Sequence, residues 1–234
     1  MKALISLILY LLCVVTFVIC AAIYIPLIIF WGPAKAVWFR RFYGWIIIKM
    51  TFSRLIINNQ PLATSGPFLF VPNHESLFDI FMIAAAIPQH FSAIAKKELF
   101  SVPLFGFIIK KMDIVSIDRK NHVNSMSGLN QAVEKLKNGT SVIIFPEGTR
   151  SRDGQIGVFK KGAFKLALDA KVTIVPVGIS GAYEAQPANT WLIYPGSVIV
   201  NFGSPIGYQD YHHLSISELS DLIKQQIIKL SSNP

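Results

Sequence analysis

Phe68-Leu69-Phe70-Val71-Pro72-Asn73-His74-Glu75-Ser76-Leu77-Phe78-Asp79 reads as a buried strand that stops at a proline and opens into a polar turn. Pro72 has no N–H for a sheet ladder, and Asn73 has the side chain of a helix N-cap. A helix is therefore expected over Leu77 to Ile87, with Asn73 capping it. The same grammar recurs at Val142 to Phe145, an apolar run leading straight into Pro146-Glu147-Gly148-Thr149-Arg150. Further strands are expected at Ile114–Ile117, Val172–Val177 and Val198–Phe202. Helical patterns fall at Val123–Lys137 and Phe159–Ala170, with a last amphipathic helix at Leu214–Leu230. Short apolar runs alternating with 3.6-period segments predict an α/β fold, a mostly parallel sheet flanked by helices. Sites in such sheets gather beyond the C-terminal ends of the strands, where both polar turns begin.

The region before this domain has a different composition. The chain of 234 residues is 52% hydrophobic and only 15% charged, against about a quarter charged in ordinary globular domains. Its mean hydropathy is +0.48. No residue from Ala3 to Ala34 is charged. A helix of that length extends about 45 Å, beyond the roughly 30 Å of a bilayer core. A second apolar segment, about Ala36 to Ile57, carries Trp38, Tyr43 and Trp45 beside Arg40, Arg41 and Lys49, the mixture found at headgroup level. Two membrane-associated helices are expected over residues 1–57, followed by the α/β domain over residues 58–234. Cys20-Ala21-Ala22 has the small residues of a signal cleavage site, but the apolar run continues through Phe30, past an h-region of about 7–15 residues. The first helix either spans the bilayer or dips into one leaflet.

The net charge is +9, and all six basic residues before Glu75 precede the first acidic one. A basic, apolar, acid-free segment suits an anionic membrane surface. If the first helix spans, the basic residues after it place the domain on the cytoplasmic side of an inner or plasma membrane. Nucleic acid is not an expected partner, because these charges are interleaved with aliphatic runs. The two cysteines, Cys13 and Cys20, both lie in the apolar run and form no thiol framework or metal motif.

His74 and Asp79 are the first chemical candidates. A carboxylate on one imidazole nitrogen fixes the tautomer and leaves the other nitrogen free to take a proton. On spacing alone, His-x₄-Asp is equally served by a capped turn and an unrelated surface carboxylate. The second polar turn adds weight. Gly148 lets the backbone approach a ligand, and Arg150 offers a planar fork suited to phosphate. Glu147 can accept from a hydroxyl or anchor a basic partner, and Lys160 and Lys161 follow closely. Ile117-Asp118-Arg119 ends another strand with an arginine, and Lys96-Lys97-Glu98 precedes an apolar stretch holding Pro103 and Gly106. Asp118 and Arg119 are equally readable as a surface ion pair, and the two lysines as a solvated helix start.

Taken together these segments resemble the glycerolipid acyltransferase family, specifically the bacterial-type lysophosphatidate acyltransferases. Asn73-His74-x₄-Asp79, Gly106 with Ile117-Asp118-Arg119, Phe145 to Arg150 and Val175-Pro176-Val177 match four motifs in order. The second departs at Ser116, where the family often has a large apolar residue. The resemblance implies acyl transfer from a thioester, of coenzyme A or of acyl carrier protein, to the free hydroxyl of lysophosphatidate, giving phosphatidate. Other acceptors in the same class are glycerol 3-phosphate, another lysophospholipid or a lyso-aminolipid. The rival from a different class is a non-catalytic membrane lipid-binding protein. By the resemblance, His74 and Asp79 are catalytic, and Lys96, Arg119, Glu147, Gly148, Thr149 and Arg150 bind substrate. Arg119 and Arg150, helped by Lys96, would hold the phosphate, and Glu147 and Gly148 would help place the glycerol. Neither a metal nor a cofactor is implied. No Gly-x-Ser-x-Gly nucleophile elbow is present, so a direct transfer without an acyl-enzyme is expected.

Overall fold

The computed structural model describes residues 1–59, 66–118 and 122–232. Among them the apolar runs form seven strands: β1 (Arg54–Asn58), β2 (Phe68–Pro72), β3 (Phe91–Lys96), β4 (Val115–Ile117), β5 (Ser141–Ile143), β6 (Thr173–Ser180) and β7 (Ser197–Phe202). They build one sheet in the order β1-β7-β6-β2-β5-β3-β4. Every pairing is parallel except β6 with β7. β6 runs three residues beyond its expected end. Its first half pairs with β2, and Val177 to Ser180 pair antiparallel with β7.

β2 lies at the centre, and all five of its residues are buried. Successive side chains of a strand point to opposite faces, so β2 feeds two cores. Phe68 and Phe70 join Met82 and Ile83 of helix α3 (Phe78–Ala86) on one face. Leu69 and Val71 pack on the other with Phe164 and Leu166 of α6 (Lys161–Ala170) and Ile223 of α9 (Ile216–Ser231). Fully burying one such side chain contributes about 1.5–3 kcal/mol. This two-sided cover is why a parallel sheet reads as unbroken apolar runs.

The N-terminal region forms α1 (Lys2–Phe30) and α2 (Val37–Met50), an antiparallel pair. Tyr24 of α1 stacks on Phe39 of α2 at 5.4 Å, and Thr16 donates to Met50 Sδ. The second segment was expected to be helical to Ile57. It stops at Met50 instead, turns through Phe52 at φ +56°, and continues as edge strand β1 alongside β7. The expected division at residue 57 thus falls inside a strand of the sheet. α2 packs closely on α3 at Gly44, where an added Cβ would meet the Phe81 carbonyl at 2.5 Å. α1 is long and apolar enough to cross a membrane, and only 17% of its most apolar window is buried. Leu4, Leu7, Leu11, Val14 and Val18 all point away from the protein. So large an apolar face associates the protein with lipid.

Candidate functional site

The turns after β2, β5 and β6 meet at one edge of the sheet, because those strands are parallel neighbours. Asn73 leaves β2 at this edge, but it does not cap the helix as expected. Its side-chain amide instead clasps β6, accepting from Ile179 N at 2.7 Å and donating to Ile179 O at 2.9 Å. α3 begins later, at Phe78, so residues 74–77 form an irregular turn. That irregularity lets a five-residue spacing close. Asp79 sits in the first turn of α3, and its Oδ2 lies 2.7 Å from Nδ1 of His74. The same oxygen accepts from the backbone N–H of Glu75 at 2.6 Å and of Ser76 at 2.9 Å. Asp79 is wholly buried, and the His74 side chain is 14% exposed.

Three donors around one carboxylate oxygen give Asp79 a single orientation, and the helix N-terminus favours its negative charge. With Nδ1–H directed at the carboxylate, Nε2 keeps its lone pair. Nε2 makes no hydrogen bond among the described residues. The imidazole stacks on Phe145 from the end of β5, with ring centroids 4.1 Å apart and planes at 29°. The backbone on either side is pinned as well: His74 N donates to Glu147 Oε1 at 2.8 Å, and Ser151 N donates to His74 O at 2.8 Å.

Glu147 differs from the expected contact with glycerol. It is 6% exposed, and its second oxygen accepts from Gly157 N at 2.9 Å. Both oxygens are thus committed to backbone N–H groups, and the side chain works as a bracket between two loops. Gly148 has φ +67°, a left-handed conformation that suits glycine. An added Cβ there would meet the Lys160 ammonium at 2.9 Å, so Lys160 lies over this glycine. Thr149 is exposed and Arg150 half-buried, with Arg150 near the phenol of Tyr10 of α1. Lys96 ends β3 at the same sheet edge, but its ammonium turns onto Glu98 at 3.3 Å. Asp118 pairs with Lys97 at 3.5 Å. Arg119 lies outside the described residues.

Glu75 lies between His74 and Asp79 in the motif. It is 8% exposed, accepts from Asn73 Nδ2 at 3.1 Å and from Tyr183 N at 3.1 Å. Burial first, and the charge of Asp79 second, push its carboxyl up to about 8 from an ordinary value near 4.5. Burial also raises Glu147, against the pull of the N–H groups of Gly157 and His74. A Glu75 carboxyl that keeps its proton limits the like charge around Asp79. Among the described residues no group of His, Cys, Asp and Glu side chains could hold a metal ion.

The edge therefore offers a fixed imidazole with one free nitrogen, beside a loop carrying cationic side chains. That arrangement can remove a proton from a hydroxyl of an anionic molecule. Comparisons with known proteins bear on which molecule. A family model described as Acyltransferase matches residues 54–180. A 1-acyl-sn-glycerol-3-phosphate acyltransferase from Cocos nucifera is 35% identical over 156 residues, 66% of this chain and 51% of that protein. One from Helicobacter pylori is 36% identical over 68% of this chain and 72% of its own length. This chain spans about half the length of the plant relatives it matches. The crystal structure of the 1-acyl-sn-glycerophosphate acyltransferase PlsC from Thermotoga maritima superposes with a TM-score of 0.85 at 27% identity, covering 99% of this chain and 95% of that one.

Proposed function

This chain belongs to the acyltransferase family, and on that premise we propose that it transfers a fatty acyl group from a thioester to the sn-2 hydroxyl of 1-acylglycerol 3-phosphate, giving phosphatidate. The observation that carries the reading is the 2.7 Å contact between buried Asp79 and the Nδ1 of partly exposed His74. Nε2 takes the hydroxyl proton as the glycerol oxygen attacks the thioester carbonyl. The new C–O bond forms, the C–S bond breaks, and the imidazolium returns its proton to the leaving thiolate. Asp79 stabilises the imidazolium in between. No serine intervenes: Ser76, two residues from His74, is fully buried with its hydroxyl bonded to Gln186. Arg150, with Arg119 and Lys96, binds the acceptor phosphate. The acyl donor is coenzyme A or acyl carrier protein, and neither metal nor further cofactor takes part.

α1 supports a membrane site for this reaction. Near one end Ser6 and Leu9 are buried against the α/β domain, and near the other Tyr24 and Ile28 are buried against α2 and Ile108. A helix seated on the domain near both ends suits burial in one leaflet, with the active site at the cytoplasmic surface of an inner or plasma membrane. The test is an assay of purified protein in detergent with lysophosphatidate and each donor. The wild type forms phosphatidate, and His74→Ala is slower by about 10²–10⁴-fold while remaining folded. Wild-type turnover by His74→Ala would sink the mechanism.

A further inference from the structure

We propose that Gln186 is a positioning residue for the reaction, holding the turn that aims Asp79 at His74; the inference rests on the general-base reading of His74. Gln186 follows β6 and the short helix α7 (Ala182–Ala185), at the same sheet edge as the imidazole. It is 3% exposed, and both polar atoms of its side chain are engaged. Oε1 accepts from the Ser76 hydroxyl at 3.1 Å and from Leu77 N at 3.4 Å. Nε2 donates to Pro187 O at 3.1 Å and to Thr190 O at 2.9 Å. The Gln186 carbonyl also accepts from the Ser76 hydroxyl, at 2.9 Å, and that hydroxyl in turn accepts from Phe78 N at 3.2 Å.

These bonds fall on the part of the turn that neither Ile179 nor Glu147 reaches. Upstream, Asn73 is clasped by Ile179, and the His74 backbone by Glu147 and Ser151. Downstream, Ser76, Leu77 and Phe78 separate the imidazole from Asp79. Apart from the Ser76 N–H donated to Asp79 and the backbone bonds of α3, their polar groups bond only Gln186 among the described residues. Leu77 is 45% exposed and adds little packing of its own. A neutral amide suits the place, since it can accept from the turn and donate to two carbonyls without burying a charge. The loop beyond continues to α1: Ile193 N donates to Ser6 Oγ at 3.0 Å, and Lys2 lies over the Tyr194 ring at 5.2 Å. Gln186 thus stands between the membrane helix and the turn.

The experiment is a cycle on the full chain in detergent, with lysophosphatidate and both acyl donors. It compares wild type, Gln186→Met, Asp79→Asn and the double variant. Met has a similar volume and makes none of the side-chain bonds, keeping only the backbone carbonyl that accepts from Ser76. Gln186→Met is expected to lower kcat by about tenfold to a hundredfold, the size of a small misplacement at a reacting centre, with KM for lysophosphatidate unchanged. In the Asp79→Asn background the same substitution has no further effect, because no carboxylate remains to be aimed. A wild-type kcat in Gln186→Met, or an equal loss in both backgrounds, overturns the inference; the second outcome marks a merely structural role. Should Gln186→Met fail to fold in a thermal scan, Ser76→Ala goes through the same cycle with the same expectation. His74→Ala separates the two readings. If it turns over normally, the general-base assignment fails and takes Gln186 with it. If it is inactive while Gln186→Met is fully active, only Gln186 is wrongly assigned.

Discussion

After β2 the chain buries Asn73, Glu75, Ser76 and Asp79 within seven residues of the strand and bonds each of them; after β5 it buries Glu147 and leaves Thr149 exposed and Arg150 half-buried. The two exits share a sheet edge and differ in how much freedom they keep. Proton transfer needs an imidazole fixed to within a fraction of an ångström, which buried, mutually bonded groups provide. Recognition of a phosphate on a mobile lipid is served by a long cationic side chain that can adjust, although ordering it costs up to about 2 kcal/mol of side-chain entropy. Glu147 is the piece that belongs to both exits, since it rises from the second and holds the backbone of the first.

Removing that link should have the largest effect. Glu147→Ala leaves the N–H groups of His74 and Gly157 without their acceptor, at about 1–3 kcal/mol for each buried donor. Both the thermal midpoint and kcat are expected to fall, read by a melting scan and steady-state kinetics. An unchanged midpoint would show that the two exits hold without the bracket. Arg150→Ala should touch only the recognition exit. A charge-assisted hydrogen bond is worth about 1.5–3 kcal/mol, so KM for lysophosphatidate should rise by roughly ten- to a hundredfold with the midpoint unchanged. Arg150→Lys should recover part of the loss, because an ammonium keeps the charge and loses the fork. An equal fall in stability would make Arg150 structural.

An effect confined to pH dependence concerns Glu75, inside the rigid exit. In the folded protein its carboxyl keeps a proton up to about 8, whereas the unfolded chain releases it near 4.5. Between those values the folded state binds more protons, so this group makes stability fall as pH rises through the window. Glu75→Gln should flatten that slope, seen as a smaller change in unfolding midpoint between about pH 5 and pH 8. A slope equal to that of the wild type would place the titration elsewhere.

Five of the seven strands were legible as apolar runs, to within about three residues at each end. β1 was absorbed into the preceding apolar segment, because a short aliphatic run such as Leu55-Ile56-Ile57 has no period to separate it from a buried helix. β3, with Ala93, Ala95 and Lys96 among its six residues, lacks the aromatic and β-branched density that marks a strand. It is held by its neighbours β5 and β4. Within the candidate site, His74, Asp79 and the loop from Glu147 to Arg150 stand out by pattern. The contacts of Asn73, Phe145 and Gln186 do not, and neither do the two backbone N–H groups that Glu147 accepts from.

By itself the sequence determined an apolar, acid-free start that seeks lipid, an alternation that builds a parallel sheet, and two polar turns at strand ends. These follow from side-chain period and backbone torsion, which act over a few residues and leave a local trace. The tertiary structure alone decided that Asp79 reaches His74 through an irregular turn rather than a capped helix. It also decided that Gln186 meets Ser76 across 110 residues, and that Glu147 meets His74 across 73. Such pairings are selected when the sheet brings distant strand ends to one edge, where any buried N–H must find an acceptor. Which acceptor arrives is set by strand order, and strand order has no local spacing to be read from.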